Sequence, residues 1–276
     1  TLEVPLQIII VNLTADFANF ITKTINFMKK STLLAILFMA IFVLGAHHSG
    51  WGQAILYEDF NYSVPGNIGG STNGSGTSNN FWTSHCNSQL GTIDVISESM
   101  IYTGITSSTG NKIYIPGSNS TTPRDVNRAF TSSSTVMYYS ALIQVVDNSQ
   151  LKVTDDYFMT FGATSGNTVT SLGGRLGIKS VNSGTNFRLS IQNISSGTPT
   201  YTEFATDLTF GTVYLVVVKF DRSTAPTTAS LWVNPTSFGG VEPAGAVINT
   251  SGTGALAAFA SICIRNTANT PKAYID

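Results

Sequence analysis

Charged side chains are scarce in this sequence. Of the 276 residues, 15 are Asp or Glu and 14 are Lys or Arg, so charged residues make up 11% of the chain, against about 25% in ordinary soluble domains. The formal net charge is only −1, which leaves no positive field to attract nucleic acid or to hold the chain on a membrane surface. We therefore expect no nucleic-acid partner, and a surface of Ser, Thr, Asn and Gly of the kind that secreted β-proteins have.

Side chains for metal and nucleophilic chemistry are also few. Three histidines occur, and only His85 lies outside the N-terminal segment described below. One histidine cannot form a zinc cluster, and it offers a serine nucleophile a single candidate base. The glycine-rich residues 69–76 lack the following Lys and helix of a phosphate-binding loop. These activities are not expected.

The sequence has two cysteines, Cys86 and Cys263. Cys263 lies between Ile262 and Ile264 in a strand-like run, where cysteine often packs as a small apolar side chain. We predict that the two do not form an obligatory disulfide. Pairing stays open as the alternative, because an exported chain meets an oxidising compartment and closing so long a loop contributes several kcal/mol.

The clearest pattern that is present is a β-hairpin over residues 213–235. The run VYLVVVKF at 213–220 is rich in β-branched and aromatic residues, which is typical of a strand covered on both faces. Residues 221–228 supply Asp, Ser, Pro and Thr for a turn, and Ala229, Leu231 and Val233 resume a period of two. Such a hairpin buries well only against another sheet, so we predict a β-sandwich.

The N-terminal segment predicts export. Lys29 and Lys30 follow Met28 and precede the apolar run 33–45, the order found in secretory signal peptides. Small residues at Gly52 and Ala54 indicate cleavage after Ala54. The segments are thus a signal peptide at 28–54 and, before it, an out-of-frame or mis-assigned extension at 1–27. A retained membrane anchor is the alternative.

Residues 55–276 predict one all-β domain. Short strands separated by Gly, Asn, Ser and Thr clusters are expected at 55–62, 91–97, 111–115, 128–131, 136–146, 156–162, 174–180, 187–192, 200–204 and 261–265, besides the hairpin. Residues 69–80 are expected to form a loop. No amphipathic helix interrupts the strands, which indicates a two-sheet antiparallel jelly-roll sandwich.

Short motifs in a fixed order carry a resemblance to a known family. They are EDFNY at 58–62, FW at 81–82, YTG at 102–104, RAF at 128–130, VMYYS at 136–140, DYF at 156–158, GRLGI at 174–178, LWVNP at 231–235 and AYID at 273–276. Together they resemble the concanavalin A-like, or laminin G-like, jelly-roll domains of large secreted bacterial proteins. The resemblance implies a jelly-roll module of a secreted or cell-surface protein, with further domains beyond Asp276.

Related jelly rolls include glycoside hydrolases, which need two carboxyl groups a few ångströms apart. In those enzymes the carboxyl groups share one strand in a Glu-x-Asp-x-x-Glu pattern. Here the nearest match is TIDVISE at 92–98, in which Thr92 replaces the first carboxylate and only Asp94 and Glu98 remain. We therefore expect no catalysis.

Carbohydrate binding requires fewer specialised side chains than catalysis does. Aromatic rings stack on sugars, and Trp82, Tyr102 and Tyr157 are the candidate side chains, with Trp82 expected to be exposed beside a polar loop and Trp232 expected in the core. In related jelly rolls a structural calcium ion ties the first strand to the last. Glu58 or Asp59 with Asp276 match such a Ca²⁺ site by position, although a surface acidic pair is the simpler interpretation.

The sequence thus favours a non-catalytic secreted or cell-surface module that binds polysaccharide or cell-surface glycan, or that serves in adhesion or as a spacer. A degenerate or atypical polysaccharide-active glycoside hydrolase is the alternative. No membrane partner is expected once the signal peptide is removed.

N-terminal sequencing of the exported protein tests the targeting prediction. We expect Ile55 as the first residue, because small side chains before it fit a signal peptidase. Recovery of Met28 on exported protein would instead show that the segment is kept as an anchor.

Overall fold

The computed structural model describes residues 54–69, 81–85, 91–105, 110–118, 123–237 and 241–276. All of them belong to one unit, Gly50–Asp276. Residues 1–27, almost all of the signal peptide, Cys86 and most of the 69–80 loop lie outside the described residues, so the predictions for them stay predictions. Within the described residues, no helix has the length and apolarity needed to cross a membrane.

In these residues the chain forms fifteen β-strands and one turn of 3-10 helix, Asn182–Gly184. The strands are β1 Gly66–Asn67, β2 Trp82–Ser84, β3 Asp94–Ile96, β4 Lys112–Ile115, β5 Arg124–Ser132, β6 Val136–Asp147, β7 Asp156–Gly162, β8 Leu172–Val181, β9 Asn186–Ile194, β10 Thr202–Glu203, β11 Val213–Asp221, β12 Thr228–Val233, β13 Val247–Asn249, β14 Phe259–Asn266 and β15 Lys272–Ile275.

The strands make two sheets. The eight-stranded sheet has the order β1-β3-β4-β15-β6-β11-β12-β13, and the seven-stranded sheet has the order β10-β9-β8-β7-β14-β5-β2. Strands adjacent in a sheet pair antiparallel. This all-β, two-sheet arrangement confirms the predicted jelly-roll-type sandwich.

The predicted hairpin lies in the eight-stranded sheet. Strands β11 and β12 pair with Val218 opposite Leu231. The side chains of Val216, Val218 and Phe220 are fully buried towards the seven-stranded sheet, as alternation along a strand requires. The hairpin is therefore one wall of the core.

Aromatic rings fill the space between the sheets. Phe161 of β7 contacts Phe259 of β14 and Tyr139 of β6, with ring centroids 5.0 Å apart in both pairs. Phe220 of β11 lies 5.9 Å from Phe259. Edge-to-face contacts of this kind add to the burial of the rings, and they join both sheets into one core.

A second apolar cluster lies on the other face of the eight-stranded sheet. It consists of Met100, Leu142, Leu215, Val217 and Trp232, which are all buried. The indole N–H of Trp232 donates to the carbonyl of Pro243 at 2.9 Å. The burial predicted for Trp232 is confirmed, and part of this outer face is apolar and covered.

Some strand predictions were wrong. Residues 55–62 form no strand, and Phe60 has a φ of 48°, outside the extended region. Its ring is buried, so tertiary packing outweighs the alternating pattern there. The short strands β1, β2 and β13 were not predicted, because two or three residues carry too little periodicity.

Buried polar side chains join one edge of each sheet. The Asn249 amide nitrogen donates to the carbonyl of Thr200 and to Oγ1 of Thr202, both at 2.9 Å. Its Oδ1 accepts from the backbone N–H groups of Asn193 and Ser251 at 3.0 and 2.9 Å. Asn249 is only 3% exposed, so these bonds tie β13 of one sheet to β9 and β10 of the other.

Replacing this side chain tests that role. Asn249→Ala removes the acceptor of the buried N–H of Asn193, and we expect a loss of about 2–3 kcal/mol in the free energy of unfolding. Thr250→Ala, at the exposed neighbouring position, is the control and should change stability little. Denaturant unfolding measures both, and equal midpoints for the two variants would contradict the assigned role.

Candidate functional site

The outer face of the seven-stranded sheet carries polar side chains across its centre. Leu176 of β8 and Ile264 of β14 point into the core, so their neighbours Arg175 and Arg265 point outward. Tyr157 of β7 lies between these two strands in the sheet, and Gln192 of β9 pairs opposite Arg175. We call Gln192, Arg175, Tyr157, Arg265 and Asp156 the polar row.

The ring of Tyr157 is the centre of the polar row. The guanidinium carbon of Arg175 lies 3.6 Å from the ring centroid, and that of Arg265 lies 4.5 Å from it. Cations within about 6 Å of an aromatic ring are attracted by its face. Tyr157 therefore holds two arginines that come from the strands on either side of it.

Hydrogen bonds fix both arginines. Arg265 donates to Oδ1 of Asp156 at 2.5 Å and to the carbonyl of Tyr157 at 3.2 Å. Arg175 donates to Oε1 of Gln192, whose side chain is buried. The row thus runs as one connected chain of contacts across β9, β8, β7 and β14.

Tyr201 closes one side of the row, over a glycine. A Cβ atom at Gly177 would lie 2.6 Å from Cε1 of Tyr201, so only glycine lets the ring come this close to the sheet. Burial raises the pKa of Tyr201 to about 12, although Arg175 acts in the opposite direction. Tyr201 is therefore a neutral phenol at physiological pH.

The loop between β7 and β8 closes the other side. Asn127 of β5 donates to the carbonyl of Gly166 at 2.8 Å and accepts from its N–H at 3.0 Å. The same amide nitrogen lies 3.1 Å from Nδ1 of His85. Burial lowers the pKa of His85 to about 4, so the imidazole is neutral at physiological pH.

The thiol of Cys263 lies under this loop. Its strand neighbour Ser261 donates to the carbonyl of Thr164 at 2.7 Å. Burial raises the pKa of the thiol to about 12, so Cys263 is an unreactive, free thiol in the described part of the chain. Since Cys86 lies outside the described residues, the absence of an obligatory disulfide stays a prediction.

Two carboxyl groups flank Arg265. Asp125 of β5 pairs opposite Arg265, and Asp156 accepts the hydrogen bond from it. Burial raises the pKa of Asp125 to about 6, Arg265 acts against this rise, and the negative charge of Asp156 adds to it. Asp125 therefore takes up a proton as the pH falls through about 6, beside a carboxylate that is paired with an arginine.

The carboxyl pair considered from the sequence lies elsewhere. Asp94 belongs to β3 of the eight-stranded sheet, and Glu98 lies beyond the end of that strand, exposed and with a φ of 69°. Asp125 and Asp156 were missed because they belong to different strands. Only the sheet order brings them to one arginine.

The exposure predicted for Trp82 is wrong. The side chain is 6% exposed, its ring stacks on Phe60 with centroids 6.0 Å apart, and its N–H donates to Oε2 of Glu58 at 2.8 Å. The aromatic contact with Phe60 outweighs the polar loop nearby. Substituting Trp82 would therefore disturb folding as well as any ligand.

The other two aromatic candidates lie on different sheets. Tyr102 packs against the second apolar cluster beside the eight-stranded sheet, and burial raises its pKa. Tyr157 lies in the polar row. The structure thus does not bring Trp82, Tyr102 and Tyr157 to one surface.

The candidate calcium ligands also do not all meet at one site. Glu58 accepts from the N–H of Phe60, the hydroxyl of Tyr62, the indole of Trp82 and the guanidinium of Arg128, so its oxygens do not fit a metal. Asp59 and Asp276 are near enough for the charge of Asp59 to add to the rise that burial causes in the pKa of Asp276. Within the described residues no group of three or more His, Cys, Asp or Glu could hold a metal.

No protein-family model matches the sequence, and no curated protein matches it. Solved structures do match, among them the crystal structure of an endo-β-1,4-glucuronan lyase from the fungus Trichoderma reesei. The identity is 9%, the TM-score is 0.39, and the match covers 77% of this chain and 91% of the other.

The expectation that this chain is not an enzyme is withdrawn, because the matched structure is a polysaccharide lyase; at 9% identity the match assigns no activity to this chain. The missing carboxylate at Thr92 bears only on hydrolysis by two carboxyl groups of one strand. It has no bearing on carboxyl groups from separate strands or on other ways of breaking a polysaccharide.

Calcium addition tests the metal prediction. If Asp59 and Asp276 hold the ion, Ca²⁺ should raise the melting temperature by several degrees and a chelator should reverse the rise. Asp59→Asn should abolish the response. Glu58→Gln should lower the melting temperature but keep the response, and an unresponsive wild-type protein would contradict the prediction.

Proposed function

We propose that this chain is an exported jelly-roll domain of the concanavalin A-like kind that binds a polysaccharide on the outer face of its seven-stranded sheet. The observation that carries the proposal is the polar row, in which Gln192, Arg175, Tyr157, Arg265 and Asp156 make one chain of contacts across four strands. Hydrogen-bonding groups held on rigid strands suit an extended, hydroxyl-rich ligand.

The partial exposure of the polar row supports this choice. On the seven-stranded sheet, Arg175, Arg265 and Tyr157 keep part of their surface in solvent. Polar, partly exposed groups at the centre of a sheet favour ligand binding over packing.

Binding to a panel of purified polysaccharides tests the proposal. Tyr157→Ala removes the ring that holds both arginines, and we expect the dissociation constant to rise about tenfold, which corresponds to about 1.4 kcal/mol. Tyr138→Phe, on the other sheet, is the matched control and should bind as the wild type does. Affinity electrophoresis measures both variants.

The proposal would be contradicted if the wild-type protein bound no polysaccharide in the panel. It would also fail if Tyr157→Ala bound as well as the wild type while Tyr138→Phe lost binding, since that result would move the site to the eight-stranded sheet.

Cleavage of the bound polysaccharide is a second candidate function. The observation that favours it is Asp125, whose pKa is raised to about 6 beside Asp156. A carboxyl group with a raised pKa can donate a proton to a leaving sugar while a second carboxylate stays ionised. In this scheme Asp125 is the donor.

Assays for new sugar ends test this candidate. Activity should fall as the pH rises through about 6, because Asp125 then loses its proton, and Asp125→Asn should abolish it. Asp94→Asn, on the other sheet, should leave activity unchanged. Cleavage that survives in Asp125→Asn would contradict the assigned donor.

A further inference from the structure

Arg175 differs from the other arginines on the outer face of the seven-stranded sheet. Arg188 pairs with Glu203 and with Asp207, and Arg265 pairs with Asp156. Within the described part of the chain, Arg175 forms no ion pair, and the oxygen that it reaches belongs to the neutral amide of Gln192. No carboxylate of the described residues therefore pairs directly with Arg175, and the nearby Asp156 is paired with Arg265.

The guanidinium of Arg175 also has unused donors. Its Nε–H is buried and has no hydrogen-bond partner in the described residues. A buried donor of a charged group without a partner is costly, but this atom is out of reach of a ligand, which would meet the outer guanidinium nitrogens of the partly exposed Arg175 side chain. An arginine offers parallel N–H groups that match the two oxygens of a carboxylate.

The contacts around Arg175 hold the guanidinium in place. The ring of Tyr157 supports it at 3.6 Å, and Gln192 fixes one of its nitrogens. Because the guanidinium occupies this side of the ring, Tyr157 does not offer that side to a sugar for stacking. The face is thus better suited to an anionic group than to a neutral sugar ring.

We propose that the polysaccharide bound on this face is acidic, and that Arg175 binds the carboxylate of a uronic acid residue. This inference rests on the proposed function. The chain as a whole has a net charge of −1, so general attraction for a polyanion is not expected. Selectivity for an acidic polymer would then come from Arg175 itself.

The experiment compares one polymer with and without its charge. Full-length protein is titrated with polygalacturonate and with the same polymer after chemical reduction of its carboxyl groups. The variants are Arg175→Gln, Arg175→Lys and, as a matched control, Arg188→Gln. Circular dichroism and melting temperature establish that each variant is folded.

We expect the wild-type protein to prefer the charged polymer. Arg175→Gln should weaken that binding by about 10- to 100-fold, the range that hydrogen bonds to charged groups give, and should leave binding of the reduced polymer unchanged. Arg175→Lys should bind the charged polymer with an affinity between those of the wild-type protein and Arg175→Gln, since it keeps the charge but loses the paired N–H groups. Arg188→Gln should behave as the wild type does.

Three results would overturn the inference. Equal loss of both polymers in Arg175→Gln and Arg175→Lys would assign Arg175 a structural role. If dextran sulfate bound more tightly than polygalacturonate, and if this binding depended on Arg175, the group bound by Arg175 would be a sulfate and not a carboxylate. Binding of the reduced polymer alone would contradict an acidic ligand while leaving polysaccharide binding intact, whereas binding of no polymer would remove the proposed function as well.

Discussion

Burial of one face of each sheet decides which side chains this protein can present to a ligand. Val216, Val218 and Phe220 of the eight-stranded sheet meet Leu176 and Ile264 of the seven-stranded sheet in one core. Because side chains alternate along a strand, burial of Leu176 and Ile264 forces Arg175 and Arg265 outward. The polar row is therefore a consequence of core packing.

The arginines on the outer face of the seven-stranded sheet differ in the charged groups that surround them. In a chain with 11% charged residues, most charged groups on this face are paired with one another. Asp156 forms an ion pair with Arg265. The contacts of Arg175 are with the ring of Tyr157 and the amide of Gln192. A half-buried cation with no ion-pair partner among the described residues is the feature from which we propose a preference for an acidic ligand.

The sequence was sufficient for the fold class and for much of the strand pattern. Strand β7 was predicted with its observed bounds, and the hairpin β11–β12 was predicted because β-branched residues and turn residues agree there. The strand predicted at 55–62 failed, since Phe60 leaves the extended region to bury its ring. Local pattern cannot include such a contact.

The candidate site was less predictable. Because side chains alternate along residues 174–178, Arg175 points to the face opposite that of Leu176. The outward orientation of Arg175 could therefore have been predicted from the sequence. Its contact with Tyr157 could not, because it depends on β7 and β8 being neighbours. Trp82 failed for the same reason, as its partners Glu58 and Phe60 lie far from it in the chain.

The most direct test of the central claim is to locate a bound oligosaccharide on the protein. Backbone amide chemical shifts, followed by NMR during titration with an oligogalacturonate, report which strands the ligand approaches. The account predicts the largest changes at Tyr157, Arg175 and Gln192, with little change at Leu215 or Trp232. Changes concentrated on β11 and β12 would contradict it.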